Sequence, residues 1–225
     1  MDSFLGNSQS IILLSISNCA NLDKPQLSPF SNNGVRFTKP LKTWNDFLKQ
    51  HIIMQRFDYS CGAASLATLM RYYFQDNVTE GEVLEDILNS LSEAEIANRR
   101  KEGFSMLDLK QFAERRGYQA IGLKLEFSAL SKLRGPILVY LETTEYKHFA
   151  VLRGIKEDRV FLADPGRGNL RLSIEHFQQE WTGISLVLIK KGFGTPSKYP
   201  LAIQEKLPLR HELNTVRQGL YLQIW

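Results

Sequence analysis

Residues 55–74 read QRFDYSCGAASLATLMRYYF. From Gly62 onward the apolar residues Leu66, Leu69, Met70 and Tyr73 recur at helical spacing, which predicts a helix with one buried face. Cys61 stands at its start, where free backbone N–H groups and the positive end of the helix dipole favour a thiolate. Gly62, Ala63 and Ala64 follow, so little bulk crowds the sulfur. A cysteine in such a place is either a nucleophile or a small buried residue at a helix end. The rest of the chain must decide between them.

Two more helices are legible downstream. Thr79 with Glu82 makes a capping box before VLEDIL, and Ser105 with Asp108 opens MLDLKQFAERR, which Gly117 stops. The polar segment between them, SEAEIANRRKEG, either extends one of these helices or forms a loop. A short helix is expected in LKTWNDFLKQHI. After Gly117 the texture changes to strands: YQAIGLKL, then, after a helical turn at FSALSKL, GPILVYLE, HFAVLRGI, RVFLADP and NLRLS. A short helix, IEHFQQEW, and a last strand, ISLVLIK, follow. Helices first and strands after predict an α+β fold, with N-terminal helices packed on an antiparallel sheet. Residues 1–40 read as leader and linker, 41–191 as the domain, and 192–225, with Pro196, Pro200 and Pro208, as a C-terminal extension.

Composition narrows the function. The chain has 225 residues, 43% of them hydrophobic, enough for one ordinary domain with extensions or two small ones. Its net charge of +4 is dispersed, and the one basic cluster, Arg99-Arg100-Lys101, is flanked by Glu95 and Glu102, so nucleic acid is not the expected partner. Cys19 and Cys61 cannot build a disulfide framework, and the four histidines show no ligand spacing, so no metal or cofactor is expected. Near the N-terminus, IILLSISNCA resembles part of a secretory signal, yet Met1-Asp2-Ser3 lacks the positive charge that should precede it. A damaged signal peptide and a plain disordered leader are both open. The first points to a periplasmic or exported protein, the second to a cytoplasmic one. No run approaches the ~18 apolar residues of a membrane span.

A thiol nucleophile needs a base. His51 serves only if the chain doubles back, His176 lies on an amphipathic helix and His211 in the Pro-containing tail. His148 opens the strand HFAVLRGI, and the next strand ends at Asp164. Two neighbouring antiparallel strands would bring the imidazole and the carboxylate together, although Asp-Pro-Gly is also turn chemistry in its own right. Gln55, six residues before Cys61, could donate its amide to an oxyanion beside the Cys61 N–H.

The order Gln, Cys, His, Asp matches a papain-like thiol hydrolase. The pieces Gln55, Asp58, Cys61-Gly62, His148-Phe149 and Asp164-Pro165 resemble the C39 peptidases, the bacteriocin-processing, double-glycine-type family, across about residues 50–190. The resemblance implies a papain-like fold. Cys61 is then the nucleophile, His148 the base and acid, Asp164 the orienting carboxylate and Gln55 the oxyanion donor. It also implies a polypeptide substrate cut after Gly or Ala and a membrane export apparatus as partner. Tyr59, Gly62 and Tyr146 are the expected substrate contacts, while Phe149 fits core packing better than a cleft wall. This sequence carries no transporter segments, so a free-standing member is expected, like those of functional-amyloid secretion. Two alternatives stand beside that one: a C39-like module that binds substrate without cutting it, and a thiol amidase acting on cell-wall peptides.

Overall fold

The computed structural model describes residues 27–32, 35–40, 43–143 and 146–203, and the chain divides into two units after Thr43. In the first unit, β1 (Leu27–Asn32) pairs antiparallel with β2 (Val35–Pro40), with Phe30 opposite Phe37. This ladder lies inside the stretch expected to be leader and linker. Its Ser, Asn and Pro content hides the strand pattern, because the residues that pair are mostly poor strand formers.

The second unit begins with α1 (Trp44–Leu48), α2 (Cys61–Tyr72), α3 (Glu80–Asn89), α4 (Glu93–Glu102) and α5 (Met106–Arg115). There follow β3 (Tyr118–Lys124), α6 (Phe127–Leu130), β4 (Ile137–Glu142), β5 (Lys147–Lys156), β6 (Arg159–Asp164), β7 (Gly168–Ser173), α7 (Ile174–Glu180) and β8 (Trp181–Lys190). The six strands form one antiparallel sheet in the order β3-β8-β4-β5-β6-β7. The α+β architecture is therefore as the sequence predicts. The last strand, however, inserts between β3 and β4, a long-range pairing that no local pattern encodes.

Side-chain size explains the position of α2. Residues 61 to 70 are all buried, not only the predicted face. Leu66, Leu69 and Met70 pack with Val83, Ile87, Leu109 and Phe112, while Ala63 and Ala67 let the helix settle close to its neighbours. Ser65 donates from Oγ to the Phe149 carbonyl at 2.9 Å and ties α2 to β5. Gly62 lies in close contact: a Cβ there would meet Leu109 at 3.0 Å and Phe149 at 3.2 Å, so those side chains would have to give way. A second cluster covers the other face of the sheet, built from Val139, Leu141, Ala150, Leu152 and Leu162 with Phe177 and Trp181. Burial on both faces is why β4 reads as an unbroken apolar run.

Capping boxes at Thr79/Glu82, Ser92/Glu95 and Ser105/Asp108 open three successive helices; such caps contribute ~1 kcal/mol each. The middle one corrects the sequence reading. α4 is a helix of its own, with no buried residue, held by its cap and by Arg99, which donates to Asp108 at 2.6 Å.

The chain after β8 folds back to the sheet. Arg153 on β5 donates from Nε to Leu201 O at 2.8 Å and from Nη2 to Ala202 O at 3.0 Å, and its Nη1 bonds to Asn169 Oδ1 at 2.5 Å. Asn169 in turn donates to carbonyls of the α1 segment, at 3.1 Å from Phe47 O and 2.9 Å from Gln50 O. Arg153→Ala is expected to cost about 2–3 kcal/mol, because it strips donors from three acceptors. Urea titration measures this, and an unchanged midpoint contradicts the role given to Arg153.

Candidate active site

Cys61 is the first residue of α2 and is 5% exposed. The loop before it is fixed by a buried carboxylate. Glu80 Oε1 lies 2.6 Å from Ser60 Oγ and accepts from the Arg56 N–H at 2.9 Å, while Ser60 N donates to Phe57 O at 3.1 Å. Glu80 itself is 2% exposed, so the loop that leads into the cysteine is anchored from inside the molecule.

His148 and Asp164 come from adjacent strands. β5 and β6 pair with Val151 opposite Ala163. Continuing that register sets Asp164 across from Ala150 and diagonal to His148, on the same face, a separation that long side chains can close. His148 Nε2 lies 2.9 Å from Asp164 Oδ1. Cys61 is a neighbour of the same imidazole, close enough to add to the upward pull on its pKa. Since Nε2 is taken by the carboxylate, Nδ1 is the nitrogen left for the sulfur.

Asp164 is wholly buried, which by itself would disfavour its charge. The hydrogen bond and charge of His148 outweigh that, and the Arg167 N–H and guanidinium add to them, so the carboxyl is held down at about 2. Oδ1 accepts from Gly166 N and Arg167 N, both at 2.8 Å, and Oδ2 accepts from Arg167 Nε at 2.8 Å. Burial would lower the pKa of His148, but the hydrogen bond and charge of Asp164, with the neighbouring Cys61, raise it to about 9. The turn that carries these donors ends at Gly168, whose φ is +89° and where a Cβ would meet Leu48 O at 2.6 Å; only glycine fits.

Gln55 lies beside this turn. Its N–H donates to Pro165 O at 2.9 Å, and a Cβ on Gly166 would come within 3.3 Å of its Oε1. Its Nε2 donates to Phe57 O at 3.1 Å, and Oε1 is buried without a hydrogen-bond partner. One amide hydrogen is spent within the loop and one remains.

Cys61 opens onto a cleft of about 390 Å³ whose walls include Tyr59, Tyr140, Tyr146, Arg100 and Phe149. Tyr59 stacks on Phe57, and the Tyr146 ring stands edge-on to His148 with centroids 5.9 Å apart. Phe149 lines the cleft but is also a core residue, 4% exposed. The other histidines stand apart from this group. His51 packs on Tyr72 and borders a different cavity, and His176 bonds to Glu180 at 2.9 Å. His211 and Cys19 lie outside the described residues. The sequence reading missed Glu80, Arg167 and Glu180, which are polar residues whose partners are distant or across a turn. No spacing rule points to them.

The chain matches proteins of known kind. The model of the peptidase C39 family fits residues 49–192. The probable functional amyloid protease FapD of Pseudomonas fluorescens is 36% identical over 143 residues, 64% of this chain and 62% of that one. FapD of Pseudomonas aeruginosa is 34% identical over 165 residues, 72% of this chain and 70% of that one. The match thus spans somewhat less than two thirds of the first relative and somewhat more of the second. Among solved structures, a double glycine motif protease from an AMS/PCAT transporter, in complex with the leader peptide, superposes with a TM-score of 0.51 at 28% identity, covering 62% of this chain and 93% of that one. The peptidase domain of Streptococcus ComA gives 0.53 at 22% identity, over 62% of this chain and 98% of that one, and shares the fold. Among the described residues no helix is long and apolar enough to cross a membrane.

The His148–Asp164 pair makes stability depend on pH. His148 holds its proton up to about 9 when folded but only to 6.5 at its ordinary value. Its contribution is complete below that ordinary value and is lost as pH rises through about 9. Asp164, held at about 2, contributes above its ordinary value of 3.8 and ceases to as pH falls through about 2. Tm is expected to fall between neutral and alkaline pH, and more steeply than in His148→Gln. Parallel curves for the two proteins contradict the coupling.

Proposed function

The chain belongs to the peptidase C39 family, and within it we propose a cysteine endopeptidase that cuts a secreted or precursor polypeptide after small residues. The observation that carries this reading is the His148 imidazole, bonded to the buried Asp164 carboxylate at 2.9 Å and within the influence of the Cys61 thiol. A histidine in that position can manage the proton of a thiol nucleophile, and a buried carboxylate behind it fixes its tautomer and stabilises the imidazolium.

In the proposed cycle Cys61 sulfur, its proton passed to His148, attacks the peptide carbonyl carbon. The oxyanion forms beside the Cys61 N–H and the remaining amide hydrogen of Gln55. The C–N bond breaks as His148 returns its proton to the leaving amine, leaving a thioester. Water then attacks the thioester as His148 takes its proton, the C–S bond breaks, and the sulfur recovers the proton. Tyr59 and Tyr146 bound the path of an extended peptide; Gly62, expected beside it, instead packs against Leu109 and Phe149. Similarity to proteins named as functional amyloid proteases supports a substrate that belongs to amyloid export. The complex of a related protease with a leader peptide supports an extended polypeptide in the cleft.

Peptides with Gly-Gly or Gly-Ala before the scissile bond test this against peptides with Leu there. Cleavage is expected only of the first kind, and none in Cys61→Ala. Asp164→Asn is expected to lower kcat/KM at least ~10-fold with the fold retained. Cleavage that survives in Cys61→Ala, or indifference to the residue before the bond, contradicts the reading.

A further inference from the structure

Arg167 lies between two buried carboxylates. Its Nε donates to Asp164 Oδ2 at 2.8 Å, and its Nη2 lies 3.6 Å from Glu180 Oε2. Asp164 side chain is 0% exposed and Glu180 side chain 7%, against 39% for Arg167. The guanidinium also covers the face of Tyr146, 5.4 Å from the ring centroid, and the Tyr146 hydroxyl donates to Glu180 Oε2 at 3.3 Å. The other oxygen of Glu180 bonds to His176 Nε2 at 2.9 Å.

Two features of this row need a reason. Oδ1 of Asp164 has three donors, but Oδ2 has the Arg167 side chain alone. Glu180 is a buried carboxylate in the last residue of α7, where the helix dipole opposes a negative charge. Neither group would be left in place by packing alone, since an unpaired buried charge is costly. Arg167, placed between them, compensates both.

We propose that Arg167 and Glu180 are positioning residues for the His148–Asp164 pair, which hold the Asp164 carboxylate and the Tyr146 wall of the cleft in one row of alternating charge. This rests on the thiol-peptidase reading of Cys61 and His148. The groups beside the imidazole are then Cys61, Asp164 and Tyr146; Arg167 and Glu180 stand behind Asp164 and Tyr146, with His176 on the far side of Glu180. Positive Arg167 opposes the protonation of His148 and draws on the charge of Asp164. Negative Glu180 favours protonation and offsets Arg167. Removing either charge should move His148 in opposite directions, which no loss of packing would do.

The test is a pH titration of the His148 ring by nitrogen NMR in the wild-type chain, R167Q, E180Q and C61A. The midpoint is expected to rise by ~0.5 pH unit in R167Q and to fall by ~0.5 in E180Q. Midpoints that stay within ~0.2 of wild type in both, or that move the same way, overturn the proposal. E180Q keeps the shape of the side chain and decides alone if R167Q does not fold: an unmoved or raised midpoint there overturns it. C61A separates the two levels of the account. If His148 titrates alike with and without the sulfur, the peptidase reading fails, whatever the other two variants show.

Discussion

A wholly buried carboxylate can stay ionised only if every part of it is answered, and Asp164 is the group on which this structure turns. Its four hydrogen bonds draw on His148, on two successive backbone N–H groups and on a guanidinium. Each demand shapes the chain around it. The backbone donors require a tight turn after β6, and that turn closes on Gly168, where Leu48 O leaves no room for a side chain. The imidazole requires β5 beside β6 in one register, and Gln55 is tied to the same turn through the Pro165 carbonyl. The site is thus assembled by the satisfaction of one charge, not by a list of independent contacts.

Against that fixed point stands the helix that brings the sulfur. α2 is buried along ten successive residues and is pinned to β5 through Ser65, so Cys61 sits on a rigid element. The loop ahead of it is held by Glu80, a second buried carboxylate. Rigid placement on one side and a charge-fixed ring on the other frame the cleft between them. Tyr59 and Tyr146 are only partly buried there, and their rings rest on Phe57 and against His148.

Much of this was legible in the residues. Three of the four long helices announce themselves by apolar spacing or by Ser/Thr with Glu/Asp three residues on. α4 carries the same cap in Ser92 and Glu95 but has no apolar face, and so could not be told from a loop or from an extension of a neighbouring helix. The nearness of His148 and Asp164 followed from two short strands in succession, since hairpin-linked strands pair antiparallel. Sheet order did not follow, because β8 finds its place between β3 and β4 by burial of both faces, a tertiary effect. Arg153, Arg167 and Glu180 were invisible for a related reason: an isolated charge in a sequence looks solvated until the fold shows what it meets. In Gln55 the structure adds a detail that spacing could not give, an amide already half engaged by Phe57 O.

On the proposed reading His148, backed by Asp164, acts on the sulfur of Cys61. Carboxamidomethylation by iodoacetamide at neutral pH, with mass spectrometry separating Cys61 from Cys19, tests it most directly. In the wild-type chain Cys61 should react fast, and in His148→Ala its rate should drop toward that of an ordinary thiol while the fold persists. Equal rates at Cys61 in the two proteins would mean that the ring does nothing for the sulfur, and the account would fail.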